Sequence, residues 1–267
     1  MVDGGRIRRP LPDIDNVATL GLGAGGPGVQ VLAIASRKGG AGKTTVTGHL
    51  AVAAEQAGYG PVAIVDLDPQ GSLADWWNRR ERKYPQFLQT SLSRLGEDIA
   101  ALRDLGIKLL LIDTPPALTS VIQQVIGLAD LVLLPIRPSP HDLRSVGATL
   151  DVVQALGKPF LFVLNAAPQR ARITQEARAV LTQCGEVAAS TLHLRVDFVA
   201  SMVDGRTVME IAGADKSSME IRKLWREVKE KIELKNGAAT VSRLEFSACM
   251  VGPSAQAFMG GQVTRHG

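Results

Sequence analysis

The chain has 267 residues, a formal net charge of +4 and two cysteines. That length accommodates one α/β domain with a large buried core, and two cysteines are too few for a disulfide framework. The four histidines are scattered, so no zinc site is predicted. No apolar run approaches the roughly 20 residues that cross a bilayer, and the first residues lack the apolar region of a signal peptide. We therefore expect a cytoplasmic globular protein without a stable membrane insertion.

Strands and helices alternate along the chain from Val29 onward. Short strands are predicted over residues 87–91 and 186–192. The buried strands are predicted from five aliphatic runs, at 31–35, 61–65, 108–112, 131–136 and 160–164. Because helical patterns separate these runs, the sequence predicts an α/β fold: a single doubly wound, mostly parallel sheet with helices on both faces.

The two ends of the chain lack sustained periodicity. Residues 1–28 are rich in Gly, Pro and Arg and predict a flexible N-terminal arm, and residues 236–267 predict a disordered tail. Between them we expect one domain over residues 29–235. Its last helix, over 216–235, is predicted to pack an apolar face on the domain. The apolar residues of that face recur at steps of three and four: Ile221, Leu224, Val228 and Ile232.

A glycine-rich segment connects the first strand to the first helix. Its residues are Lys38, Gly39, Gly40, Ala41, Gly42, Lys43, Thr44 and Thr45. Such glycines let backbone N–H groups wrap a phosphate chain at a helix N-terminus, where the helix dipole favours anions. Lys43 is expected to neutralise the β and γ phosphates of a nucleotide, and Thr44 to offer its hydroxyl to Mg²⁺. Lys38 is expected to be a second cation, which stabilises the negative charge that develops at the γ-phosphate during hydrolysis.

Aspartates follow two of the predicted strands. Asp66 and Asp68 come after the second strand, and Asp113 follows the run that ends at Ile112. Ligands of a parallel sheet sit at the carboxyl ends of its strands, so these carboxylates are expected beside the glycine-rich segment. Asp113 is expected to hold the water shell of the metal, Asp66 to support the metal or the loop, and Asp68 to orient an attacking water.

Together these segments resemble the ParA/MinD family of deviant-Walker ATPases, and most closely the small ParA-type partition ATPases. The lysine before the glycines separates this family from most phosphate-loop enzymes. The resemblance covers roughly Val29 to Ile232, and it includes residues 205–208 and 218–221. It implies a P-loop NTPase fold, ATP and Mg²⁺ as cofactors, and slow, partner-stimulated ATP hydrolysis.

The resemblance also implies roles for single residues of the loop. Lys38 reaches across an ATP-sandwich homodimer to the phosphates bound by the other subunit, while Lys43 binds the phosphates of its own subunit. Thr44 ligates Mg²⁺, and Thr45 helps to hold the α-phosphate.

Three residues outside the loop receive implied roles as well. Asp68 positions the hydrolytic water, and Asp113 holds a metal-bound water. Asn165, expected where its strand ends, lies where the family contacts adenine, although a strand-end asparagine is also a good turn residue.

The partition members of the family bind DNA without sequence preference as ATP-bound dimers, and a centromere-binding or adaptor partner stimulates hydrolysis. By resemblance, this chain is expected to drive plasmid or chromosome partition and to associate with the nucleoid when ATP-bound. A solvated helix face is the alternative interpretation of the basic residues that are available for DNA. These residues are Arg195, Arg206, Lys216, Arg222, Lys223 and Arg226.

Other functions share the same loop. A MinD-like regulator would act on a membrane, and would need its C-terminal amphipathic helix free to bind lipid. A cargo-positioning ATPase would use the same switch to place a protein cluster. An iron–sulfur reductase would need cysteines at a dimer interface, and Cys184 and Cys249 are poorly placed for that.

Overall fold

The computed structural model describes Leu11 and residues 28–116 and 120–235. The strands in these ranges are β1 (Gln30–Ile34), β2 (Val62–Asp66), β3 (Gln86–Phe87), β4 (Leu109–Asp113), β5 (Leu131–Ile136), β6 (Phe160–Ala167) and β7 (Val187–His193). They form one sheet in the order β3-β2-β4-β1-β5-β6-β7, and every pairing is parallel. The predicted doubly wound α/β fold is confirmed.

Helices connect the strands and cover both faces of the sheet. They are α1 (Lys43–Gln56), α2 (Ser72–Arg79), α3 (Leu95–Asp104), α4 (Ser120–Leu128), α5 (Pro140–Ala155), α6 (Arg172–Cys184), α7 (Val196–Met202) and α8 (Asp215–Lys235). No helix in the described ranges is both long and apolar enough to cross a bilayer.

Alternate residues of each strand belong to two different cores. Leu32 and Ile34 of β1 pack in the core that α1, α2, α7 and α8 cover, whereas Val31 and Ala33 pack in the core under α3 to α6. Both faces are buried because the crossover helices of a parallel sheet cover both sides, which explains why these strands are continuous aliphatic runs. The predicted apolar face of α8 is confirmed, since Ile221 is fully buried in the first of these cores.

Two strand predictions differ from the structure, and one helix was not predicted. The strand predicted over residues 87–91 is only the two-residue β3, which pairs with β2 through Ala63 and Ile64. β6 continues to Ala167, so Asn165 lies within the strand rather than at its end. α7 was not predicted, because three of its seven residues are valines or a phenylalanine and no long period marks it. The predicted arm and tail lie outside the described residues, apart from Leu11 and Gly28.

Candidate functional site

The order of the strands brings the predicted carboxylates to the glycine-rich loop. β4 lies between β1 and β2, and its Asp113 is in register with Ile34 on one side and with Asp66 on the other. The loop starts directly after β1. The carboxyl ends of neighbouring parallel strands meet at one edge of the sheet, so the loop and the two aspartates face the same space.

The loop takes a conformation that strongly favours glycine at two positions. Gly40 and Gly42 have φ angles of 73° and 90°, in the left-handed region. A Cβ atom at Gly42 would also lie 2.1 Å from the side-chain nitrogen of Asn165. That nitrogen, Nδ2, donates a hydrogen bond to the carbonyl oxygen of Ala41 at 2.7 Å. Asn165 therefore supports the backbone of the loop, and its contact with adenine stays a prediction.

Lys43 is the buried cation of the loop. The residue is 6% exposed, and it begins α1. Burial lowers the pKa of Lys43, and the carboxylates of Asp113 and Asp68 partly oppose that shift by favouring the charged ammonium. A buried ammonium between two acidic residues at a helix N-terminus is well placed to attract a polyphosphate.

Thr44 and Asp113 form a hydrogen-bonded pair in the site. The Thr44 hydroxyl donates to Asp113 Oδ2 at 2.6 Å. Asp113 is 1% exposed, and its other oxygen, Oδ1, has no hydrogen-bond partner in the described part of the chain. Burial raises the pKa of Asp113 to about 7, against the lowering effect of the Thr44 hydrogen bond. A buried carboxylate oxygen without a partner is costly, and a ligand or water would satisfy it.

Asp66 and Asp68 have different surroundings. Asp66 Oδ2 accepts the backbone N–H groups of Leu73 and Ala74 at 2.9 and 3.0 Å, and its Oδ1 accepts that of Asp68. Asp66 therefore accepts two of the backbone N–H groups that have no partner within the first turn of α2. Burial raises the pKa of Asp66, and these three amides oppose that shift. The Asp68 side chain accepts only the Gln70 N–H among the described contacts, and it lines the same cleft as the loop.

Lys38 lies at the other end of the loop and is paired within its own chain. Its Nζ is 2.6 Å from Asp142 Oδ2, and the Lys38 side chain is 30% exposed. Asp142 also accepts hydrogen bonds from Arg137 Nε, at 3.1 Å, and from the Ser139 hydroxyl. Partial burial raises the pKa of Asp142, but these hydrogen bonds outweigh burial, and the pKa lies below its usual range.

Sequence reasoning missed Asp142, although a signal was present. Ser139 is the N-cap of α5 and accepts the Asp142 N–H at 3.1 Å, with Pro140 in the first turn. A serine followed three residues later by an acidic residue indicates a helix start of the capping-box type. The pattern predicts the cap, but nothing local predicts that the same carboxylate also receives Lys38.

A cleft of about 600 Å³ joins these residues. It contains the loop residues Gly39, Gly40, Lys43, Thr44 and Thr45 together with Asp68. The lining residues that the sequence did not single out come from α2, α7 and the segment after β4: Asp75, Trp76, Arg79, Met202 and Pro116. In the described ranges no three His, Cys, Asp or Glu side chains gather in a way that would hold a metal by themselves.

A second concavity, of about 720 Å³, lies between β7 and α8. Four of the six basic residues predicted for DNA line it: Arg195, Lys216, Lys223 and Arg226. Arg222 is exposed on α8 but does not line it, and Arg206 lies elsewhere, paired with Asp204. We call this feature the basic groove.

Glutamates of α8 organise the floor of the basic groove. Glu227 accepts the N–H groups of Ala189 and Ser190 at the open edge of β7, at 2.6 and 2.9 Å. Glu220 accepts His193 Nδ1 and Arg195 Nη2, each at 2.8 Å. Because these glutamates are already bonded, the exposed cations of the groove face solvent without a neighbouring free carboxylate from either of them.

Residues 32–208 match the family model described as the CobQ/CobB/MinD/ParA nucleotide binding domain. The chain belongs to this family. The matched range includes the glycine-rich loop, the three aspartates and Asn165. The resemblance drawn from the motifs is thereby confirmed at the level of the family.

Named relatives match most of the domain. The chain is 28% identical to "Maintenance of carboxysome distribution protein A" of Halothiobacillus neapolitanus over 207 residues, which are 74% of this chain and 95% of that protein. It is 27% identical to "Chromosome-partitioning ATPase Soj" of Thermus thermophilus over 243 residues, 77% of this chain and 97% of that protein. The fold resembles the ATP complex of a Cyanothece McdA variant, with a TM-score of 0.61, 18% identity, and coverage of 82% of this chain and 100% of that chain.

Proposed function

We propose that this protein is an ATPase switch of the ParA type, which binds Mg²⁺-ATP, pairs with a second copy, binds DNA without sequence preference and is reset by hydrolysis. The observation that carries the proposal is the Thr44–Asp113 pair beside Lys43. It combines a buried cation, a hydroxyl and a carboxylate oxygen without a partner in the described residues, at the start of a helix.

The residues present fit a magnesium ion. Mg²⁺ is held by few protein ligands, together with waters and substrate phosphates. The Thr44 hydroxyl is the candidate direct ligand, and Asp113 Oδ1 is free to accept a metal-bound water. Bound there, the ion would neutralise charge on the phosphates. Asp66 is occupied by three backbone N–H groups, so we propose that it acts on the metal only through the position of the loop.

The protein's own groups then act on the terminal phosphate. Lys43 and the loop amides attract the triphosphate, because a buried ammonium interacts strongly where water is excluded. Asp68 orients a water for attack, since it lies on the same cleft and its only described side-chain contact is with Gln70. Positioning and charge stabilisation supply most of the catalysis in phosphoryl transfer.

Lys38 supports the proposed dimer. Its side chain is partly exposed at the rim of the loop, so it is accessible to a second copy. Within one chain its charge is neutralised by Asp142, and the pair must separate before Lys38 can reach the nucleotide of the other subunit.

The basic groove supports the proposed DNA contact. Lys216, Lys223 and Arg226 are exposed at its rim, where they can meet phosphates. DNA binding through such residues is largely electrostatic and independent of sequence. Arg195 is held by Glu220 and is the weaker candidate.

The cargo is proposed from the relatives. Plasmid or chromosome partition is the leading function, supported by the likeness to the Soj protein. Positioning of a protein body is the second candidate, because a relative named for carboxysome distribution is matched over 95% of its length. A MinD-like action through α8 is disfavoured, since the apolar face of that helix is buried on the domain.

The test is DNA binding by the wild-type protein with ATP, with ADP and without nucleotide. We expect binding only with ATP, and its loss in Lys38→Ala, with Lys223→Ala as a lysine control that weakens DNA binding but leaves dimerisation intact. Equal DNA binding in all nucleotide states would contradict the switch. ATP-dependent sedimentation with vesicles and none with DNA would favour the membrane alternative instead.

A further inference from the structure

The segment after β5 brings a second cation to the rim of the loop. Arg137 follows the last residue of the strand, and its Nε donates to Asp142 Oδ1 at 3.1 Å. The Arg137 side chain is 39% exposed, whereas that of Asp142 is 4% exposed. A buried carboxylate therefore holds a partly exposed guanidinium in place by its Nε, the nitrogen nearest to the chain.

The far end of that guanidinium faces the glycine-rich loop. A Cβ atom at Gly40 would lie 3.9 Å from Arg137 Nη1, an ordinary van der Waals distance, so this nitrogen lies beside the backbone of Gly40. The bond to Asp142 is the one polar contact of the Arg137 side chain in the described part of the chain. Its two terminal nitrogens are thus available, in the planar arrangement that matches two phosphate oxygens.

The charges at this rim are not balanced. Lys38 and Arg137 share the single carboxylate of Asp142, which leaves one positive charge in excess. Gly40 lies toward the Lys38 end of the loop, away from Thr45 and the start of α1. With the α-phosphate at Thr45, as the family resemblance implies, an anion next to Gly40 would lie at the opposite end of the loop from that phosphate.

We propose that Arg137 binds the terminal phosphate of the nucleoside triphosphate in its own subunit, and that Asp142 is its positioning residue. The proposal rests on the proposed function, since it requires a triphosphate in the cleft. Arg137 donates from its terminal nitrogens to nonbridging oxygens of that phosphate. It is then a contact that ATP makes and ADP does not.

The test compares the affinities of the full chain for a nonhydrolysable ATP analogue and for ADP. Arg137→Gln should weaken binding of the analogue by about tenfold to a hundredfold, the effect of losing hydrogen bonds to a charged group, and leave that of ADP within about twofold. Arg137→Lys, which keeps the charge without the planar fork, should fall between. Arg172→Gln, at an exposed arginine of α6, is the control and should change neither affinity.

The same measurement in a Lys38→Ala background separates this contact from the one across the dimer. The loss caused by Arg137→Gln should persist there, because the contact lies within one subunit. An unchanged affinity for the analogue, or equal losses for the analogue and ADP, would overturn the proposal while leaving the proposed function intact. A wild-type protein that binds neither nucleotide would overturn both.

Discussion

The cleft beside the glycine-rich loop and the basic groove both contain charged residues, but these residues are buried in the cleft and exposed in the groove. In the cleft, Lys43 and Asp113 are 6% and 1% exposed. Burial lowers the pKa of Lys43 and raises that of Asp113, so it favours the neutral form of each group. In the groove, Lys216, Lys223 and Arg226 are exposed, and two of the glutamates beside them are bonded, Glu227 to β7 and Glu220 to Arg195.

The difference in burial suits the cleft to oriented chemistry and the groove to electrostatic attraction. Charges in a buried site interact strongly and need no reorganisation when a ligand arrives. Exposed charges are screened by salt over about 10 Å at 0.1 M ionic strength. The cleft is therefore suited to a specific ligand held in one orientation. The groove is suited to a polyanion that it can bind at any position along the polyanion.

The largest effect should come from Asp68→Asn in the cleft. If Asp68 orients the attacking water, the turnover number should fall by about 10²- to 10⁴-fold while ATP affinity changes little. Asp75→Asn, a carboxylate of α2 in the same cleft, is the matched control and should keep most of the activity. Phosphate release under single-turnover conditions measures both. Normal turnover in Asp68→Asn would remove its assigned role.

The second largest effect is expected for Lys43→Ala. Removing the buried ammonium leaves Asp113 without its nearest cation and the phosphates without theirs, so ATP affinity should fall by at least about 30-fold. Lys223→Ala removes the same side chain from the groove and should leave ATP affinity unchanged. Calorimetric titration with ATP distinguishes the two. Comparable losses in both variants would show that the cleft and the groove are not separate sites.

A buried histidine between the glycine-rich loop and α8 gives a smaller, pH-dependent effect. His49 contacts the carbonyl of Thr45 at 2.8 Å through Nδ1, and Nε2 accepts the Val208 N–H at 3.2 Å. Ser218 of α8 in turn donates to the Val208 carbonyl at 2.6 Å. Burial lowers the pKa of His49 to about 4 from 6.5, so the unfolded chain binds a proton between these values and the native chain does not.

Stability should therefore fall as the pH decreases from about 6.5 to about 4, by up to about 1.4 kcal/mol per unit from this group. Urea unfolding at several pH values measures the slope. His49→Gln should flatten it, whereas His141→Gln, at an exposed histidine, should not. Parallel slopes for the wild type and His49→Gln would contradict the assignment.

The smallest single effects belong to the groove. Each of Lys216→Gln and Lys223→Gln should weaken ATP-dependent DNA binding severalfold on all sequences, and should reduce the slope of log affinity against log salt by about 1. Arg172→Gln, an exposed cation on α6, should leave the slope unchanged. Fluorescence anisotropy at several salt concentrations measures the slopes. A variant that changes sequence preference instead would contradict a purely electrostatic contact.

Much of the cleft was predictable because its determinants are local. The glycines, Lys43 and Thr44 lie within one short segment, and Asp66 and Asp113 come at the ends of short aliphatic runs that are typical of buried parallel strands. The identity of the family also followed from these segments. Periodicity predicted α8 and its apolar face as well, since a helix of 21 residues repeats its pattern often enough to be recognised.

The remaining features depend on residues that are far apart in the chain. The hydrogen bond from Asn165 to the Ala41 carbonyl joins positions that are 124 residues apart, and the strand-end pattern of Asn165 does not predict it. α7 is short and lacks a clear period, and it is recognised only in the structure, where it packs against α1. The use of glutamates to cover the open edge of β7 likewise appears only when α8 is placed beside that strand.

The α/β class, the glycine-rich loop and the acidic strand ends could be predicted from the sequence, because each depends on residues that are neighbours along the chain. The shared pairing of Lys38 and Arg137 with Asp142 is visible only in the folded chain. Lys38 and Asp142 are 104 residues apart, and they meet because β5 lies next to β1 in the sheet. The order of the strands depends on how the whole chain buries the two cores, and local sequence patterns do not predict that order.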